Sequence, residues 1–303
     1  MGNGRKSPGP SPDQVRQDTA LYNLDMEAVE EAGVGKYFLT TIFPDPIQSD
    51  SIQRIERQPM AKHTIPSTAR SEFKISSPIP DALYGYNRNT AFTQQFTQLI
   101  SMKNDPMANA RGMIYPFFVI EFKGATGNLW VATNQCVGGS VSCVNMIERL
   151  NEQLRKCKSD NIQAIDSAVF SIAMNATEAR LFISWKHNKL DYYMQQVECF
   201  ALQRPDDYIE LRKYVRNIID WGAGGRLKGI QNSLDSLLEN GRQRVSGVVK
   251  SRQPPSDGSE TSGSKKRKIS ASHANSSRSS SVQEQDKGIN AGDYITPQSQ
   301  SRN

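Results

Sequence analysis

The stretch Tyr115–Gly124, YPFFVIEFKG, constrains the fold more than any other. Six apolar or aromatic residues run without a break and then meet Glu121 and Lys123, two positions apart. An uninterrupted run of this kind needs cover on both faces, which describes a central strand, here expected over 113–123. In a strand, alternate residues point to the same face, roughly 7 Å apart along the chain. Glu121 and Lys123 therefore project together, and Phe122 turns to the opposite, buried side. The pair falls at the carboxyl end of the strand, where open α/β sheets commonly place their sites. A second copy of the same letters, Glu72-Phe73-Lys74, follows the polar STARS. It lacks the apolar run and reads as an exposed edge pair, worth about 0–1 kcal/mol.

The surrounding pattern predicts an α/β layer fold, a mixed sheet flanked by helices. Residues 1–18, rich in Gly, Pro and Ser, read as a disordered lead-in. Residues 19–33 carry apolar positions at helical spacing, with Gly33 as a stop. Residues 44–70 hold four prolines and no steady period, so they read as irregular. Two short strands are expected within 73–87 and a helix over 90–101. Gly124–Gly127 forms a turn, and Asn128 caps a long helix reaching about Cys157. Gly138-Gly139-Ser140 lies inside that helix, implying either close backbone packing or a break into two. Three strands follow at 168–174, 179–185 and 193–202, then a helix from Arg204 to Trp221 and a short one over 226–239. The expected divisions are 19–225 as the folded domain, 226–246 as a short helix or linker, and 247–303 as a disordered Ser-rich basic tail.

Charge narrows the partners. The chain carries a net +6, yet residues 247–303 hold nine Lys/Arg against five Asp/Glu, leaving 28 basic against 26 acidic in the rest. The overall basicity is thus no sign that the folded part binds nucleic acid. No apolar run approaches the roughly 18 residues of a membrane span, so no membrane association is expected. The amino-terminal MGNGRKSP lacks a secretory apolar region, and Lys6 stands where a myristoylation signal needs a hydroxyl. The four cysteines show no CxxC spacing and read as small buried residues rather than zinc ligands. GVGKY at 33–37 fails as a phosphate loop, because Glu30 replaces the first glycine and Tyr37 the final hydroxyl. Neither a dinucleotide cofactor, a kinase nor a GxSxG hydrolase finds its motifs here.

A hard divalent cation needs more oxygen than Glu121 provides. Asp81, in SPIPDALYGY, follows one extended segment and starts another. Pairing the 73–87 strands with strand 113–123 brings it beside Glu121. Asp45, between two prolines in FPDPI, ranks second. The same residues also allow a purely structural reading, with Glu121 and Lys123 an ion pair at a strand end and Asp81 a turn acid.

Pro80-Asp81, then Glu121-x-Lys123, then a helix carrying Gln135, resembles the PD-(D/E)XK nuclease superfamily, the restriction-endonuclease-like fold. PIPDALYGY, PFFVIEFKG and NLWVATNQCVGGSVSCVN are similar to an uncharacterised PD-(D/E)XK-like domain family of filamentous fungi, over roughly residues 35–225. The resemblance implies a metal-dependent phosphodiester hydrolase acting on DNA. Asp81, Glu121 and the main-chain carbonyl of Phe122 would hold Mg²⁺ or Mn²⁺. Lys123 would orient or deprotonate the attacking water, and Gln135 would tune the site or touch substrate. The superfamily's first helix often adds an acid, for which Glu27, Glu30 and Glu31 are candidates. The alternative is a catalytically inactive nuclease-fold binding or regulatory protein. The near-neutral core favours that alternative, and the intact Asp81, Glu121 and Lys123 favour the enzyme. In the tail, Lys265-Lys266-Arg267-Lys268 suits a nuclear-import receptor and a nuclear location.

Overall fold

A computed structural model describes residues 9–47, 50–66, 76–157, 164–188 and 191–250, without the side chains of 243–250. Glu72–Lys74 and the basic cluster at 265–268 lie outside the described residues. Three helices open the chain: α1 (Pro12–Arg16), α2 (Thr19–Met26) and α3 (Glu31–Thr41). Strand β1 (Ile52–Glu56) precedes β2 (Ala82–Asn87), the short helices α4 (Arg88–Ala91) and α5 (Phe96–Ser101), and β3 (Met113–Phe122). The long helix α6 (Leu129–Arg155) leads to β4 (Val169–Met174), β5 (Glu178–Lys186) and β6 (Tyr192–Ala201), then α7 (Pro205–Trp221) and α8 (Leu227–Lys250). The six strands form one mixed sheet in sequence order, consistent with the α/β class expected. All neighbours pair antiparallel except β3 and β4, which run parallel. A parallel pair needs a long crossover, and α6 supplies it.

All ten residues of β3 are buried, as the apolar run requires. Its two faces are covered by different helices. An added Cβ on Gly35 of α3 would meet the Phe122 ring at 3.2 Å, and one on Gly139 of α6 would meet Val119 Cγ1 at 2.9 Å. The Gly-Gly-Ser stretch is thus a place of close backbone packing, and α6 continues through it unbroken. Gly139→Val is expected to force helix and strand apart and destabilise the fold by about 1–3 kcal/mol. Urea unfolding measures this, and an unchanged midpoint would contradict the packing.

Several expectations need correction. The reputed lead-in contains α1, because Ser11 and Gln14 form a reciprocal capping box that starts a helix. Residues 19–33 make two helices rather than one. Ala28, at φ +49°, breaks the run, and Gly33 lies inside α3 rather than ending a helix. The stretch 44–70 contains β1, whose apolar Ile52 and Ile55 do not alternate strictly and so hid a strand. Helix 90–101 divides into α4 and α5, and only one strand, β2, appears in the described part of 73–87.

The carboxyl-terminal helix also belongs to the fold rather than to a linker. One π turn, Gly222–Arg226, joins α7 to α8, and Leu227, Ile230 and Leu234 are buried. Arg226 is 4% exposed and donates from Nη1 to Tyr86 Oη at 3.2 Å and to the Tyr115 carbonyl at 3.1 Å. Its guanidinium lies within 5.6 Å of the Tyr86, Phe117 and Trp221 ring centres. No carboxylate among the described residues bonds it, and that ring of π faces helps hold the charge. Among the described residues no helix is long and apolar enough to cross a membrane.

Candidate metal centre at the end of strand β3

The site forms where the β2–β3 ladder ends. Ala82 pairs with Ile120, so the next step of the register sets Asp81 across from Glu121. There the Asp81 side chain takes over from the main chain: Oδ2 accepts a 2.8 Å hydrogen bond from the Phe122 N–H. Asp81 is thereby held to the strand that carries Glu121. The Asp81 main chain also lies near enough to the Glu121 carboxylate to favour its ionised form. An amide and carbonyl of one residue point to the same neighbouring strand, so the Phe122 carbonyl is directed to the Asp81 side.

Arg57, just beyond β1, adds the next layer. Its N–H reaches the Pro80 and Asp81 carbonyls at 3.0 and 3.3 Å, and its Nε lies 3.6 Å from Asp81 Oδ1. Arg57 sits at φ +49°, a conformation that costs a non-glycine residue of order 1–3 kcal/mol and persists where surrounding bonds enforce it.

Lys123 is fixed from both ends. Its N–H donates to the Met174 carbonyl at 2.8 Å, and its Nζ meets Glu31 Oε2 at 2.7 Å. Glu31 opens α3, directly after the break at Ala28. Gly124 makes this meeting possible. A Cβ there would stand 3.2 Å from both the Glu31 nitrogen and the Val29 carbonyl oxygen. The Ala125 N–H also donates to the Val29 carbonyl at 2.9 Å, clamping the turn onto the start of α3.

Burial sets the electrostatics. Glu121 is 2% exposed, and its pKa is pushed up to about 8, first by burial and then by the Asp81 charge. Asp81 is also raised by burial, although the Phe122 N–H, Lys123 and Arg57 pull it back. Without a cation, then, Glu121 holds its proton at neutral pH. A folded-state pKa above the ordinary carboxyl value of 4.5 contributes stability that is full below that value and lost as pH rises toward about 8. Glu121→Gln keeps the shape and removes this titration. In chelator, the variant's stability is expected to stay flatter across that window, and at pH 9 to exceed wild type by at least about 1.4 kcal/mol, one pKa unit. Urea unfolding against pH reads the difference, and superimposable profiles would contradict the assignment.

Two hollows flank the carboxylates. Asp81 and Phe122 face a groove of about 300 Å³ against α3 and β1, with Lys36, Arg54 and Arg57 on its walls. Glu121 faces a cleft of about 560 Å³ beside the start of α6, which Gln135 also lines. The structure thus brings Asp81, Glu121 and Lys123 to one strand end and sets Gln135, exposed, on the Glu121 side. Of the three early acids, Glu31 reaches the site. Glu30 stands at the N-cap position of α3 without a side-chain capping bond, and Glu27 accepts from Asn23. Asp45 lies 3.6 Å from Arg54, away from the pair. Arg57 went unnoticed in the sequence because its neighbours read as irregular chain.

The donor chemistry fits a hard divalent cation: two carboxylates and a carbonyl, all oxygen, in a place that penalises uncompensated negative charge. Among the described residues no group of three or more His, Cys, Asp or Glu side chains is placed to hold a metal. Asp81, Glu121 and the Phe122 carbonyl would therefore leave the remaining positions to water. Residues 22–234 match the model of a family described as a domain of unknown function, DUF7924. No curated protein and no solved structure matches the chain.

Proposed function

The chain belongs to the DUF7924 domain family, and from its own geometry we propose that it is a metal-dependent phosphodiester hydrolase of the PD-(D/E)XK nuclease-like kind. The observation that carries this reading is the adjacent pair of buried carboxylates beside Lys123. A bound Mg²⁺ or Mn²⁺ would supply Lewis acidity toward a phosphate oxygen and lower the pKa of bound water. Asp81 and Glu121 would hold it, with Glu121 giving up its proton to do so.

Lys123 is a donor of three hydrogens on a four-carbon stem at the strand end. It is suited to orient the attacking water and to offset charge growing on the phosphate. The Glu31 bond sets where its ammonium group points, and α3 holds Glu31 in place through the Gly124 contact. Arg57 and Lys36 bring positive charge to the groove on the Asp81 side, where the flanking phosphates of a nucleic-acid strand would pass. Gln135 offers amide hydrogen bonds on the other side.

The same Lys123–Glu31 pair favours a second reading. A lysine already bonded at 2.7 Å to a carboxylate can serve structure alone, in a nuclease-fold protein that binds without cutting. DNA cleavage separates the two. Wild type is expected to cut with Mg²⁺ and to stop on addition of chelator. DNA left intact across single- and double-stranded substrates would favour the binding protein.

A further inference from the structure

Trp130 opens α6 with 68% of its surface exposed, unusual for a side chain with so much apolar area. It stands on the wall of the cleft that Glu121 faces. Val131, at 42%, and Ile79, at 57%, extend the apolar rim, while Asn134 and Gln135 add amide groups. Among the described residues, Glu121 is the single charged one on that wall. The opposite hollow, on the Asp81 side, is the one that carries Lys36, Arg54 and Arg57. Arg54 is occupied by Glu56 at 3.0 Å, whereas Lys36 is exposed and Arg57 is 60% exposed. The carboxylates thus divide a cationic groove from a neutral cleft that combines an indole, an apolar rim and two amides.

That division matches the two chemistries of a nucleotide. Phosphates seek cations, and bases seek π faces with amide donors and acceptors. We propose that the cleft takes an unpaired nucleobase, stacked on Trp130 and hydrogen-bonded by Asn134 and Gln135, so that the substrate is a single strand or an unpaired region of nucleic acid. The inference rests on the hydrolase reading for the position of the phosphate. Both faces of a base in a duplex are already stacked, so an exposed ring can take only one that is unpaired or flipped out. The cleft volume, about 560 Å³, lies in the range of small-molecule sites and admits a nucleotide rather than a duplex.

The test is fluorescence anisotropy of a labelled single-stranded oligonucleotide of about 12 nucleotides with the full chain in chelator. Trp130→Ala is expected to weaken binding by about 5- to 100-fold, the effect of losing one base–aromatic stack. Trp130→Phe is expected to restore most of it. An oligonucleotide of abasic sites is expected to bind wild type and Trp130→Ala alike, and duplex affinity to be insensitive to the substitution. The side chain is exposed, so the melting temperature should not move. Equal single-strand affinity for wild type and Trp130→Ala, equal loss on duplex, or no binding by wild type would each overturn the proposal. Binding in chelator needs neither metal nor Lys123. A protein that binds through Trp130 yet never cuts would overturn the hydrolase reading alone, and one that cuts without Trp130 dependence would overturn this inference alone.

Discussion

Lys123→Ala is expected to slow Mg²⁺-dependent DNA cleavage by about 10²–10⁴-fold, the usual contribution of a positioned proton-transfer group. Affinity for the cation is expected to stay the same or to rise slightly, because the substitution removes a nearby positive charge. The loss should appear in kcat with little change in KM, the signature of an interaction made in the transition state. Glu31→Gln is the informative companion, since it keeps Lys123 and weakens the bond that aims it. Its loss of rate should be smaller than that of Lys123→Ala, and the double variant should be no slower than Lys123→Ala by itself. If the pair serves only to tie α3 to the sheet, the two single variants would lose similar stability and leave kcat unchanged. Lys123 is 13% exposed and Glu31 42%, so the bond is partly screened and its contribution to stability modest.

The central strand could be read from the sequence with little help. Ten buried positions need apolar side chains on both faces, and few other elements explain YPFFVIEF. The Asp81–Glu121 meeting followed from it, since an antiparallel neighbour places the residue before β2 across from the residue near the end of β3. The start of the long helix was also legible, through Asn128, whose side chain accepts from the Trp130 N–H. The Gly-Gly-Ser stretch was legible only as two alternatives. Choosing between them requires knowing that Val119 lies against Gly139, a contact across twenty residues of sequence.

What stayed hidden depended on backbone conformations that side-chain patterns do not report. Glu31 reaches Lys123 because Ala28 adopts a positive φ and splits the apolar period of 19–33 into two helices. Arg57 reaches Asp81 for a similar reason, from a positive φ at the end of a strand only five residues long. Neither alanine nor arginine favours that region, so neither letter announces the turn. The exposure of Trp130 was equally hidden, since an apolar residue at helical spacing is ordinarily assigned to the core.

Isothermal titration calorimetry of the full chain with Mg²⁺ and Mn²⁺ tests the paired carboxylates most directly. The full chain is required because α8 packs into the core. Wild type is expected to bind a single ion with proton release, as Glu121 ionises, and the heat should therefore vary with the ionisation enthalpy of the buffer. Asp81→Ala and Glu121→Ala, checked for folding by thermal melting, are each expected to abolish that binding. Equal binding by all three proteins, or no binding by wild type at a pH above 8, would contradict a metal centre at the end of β3.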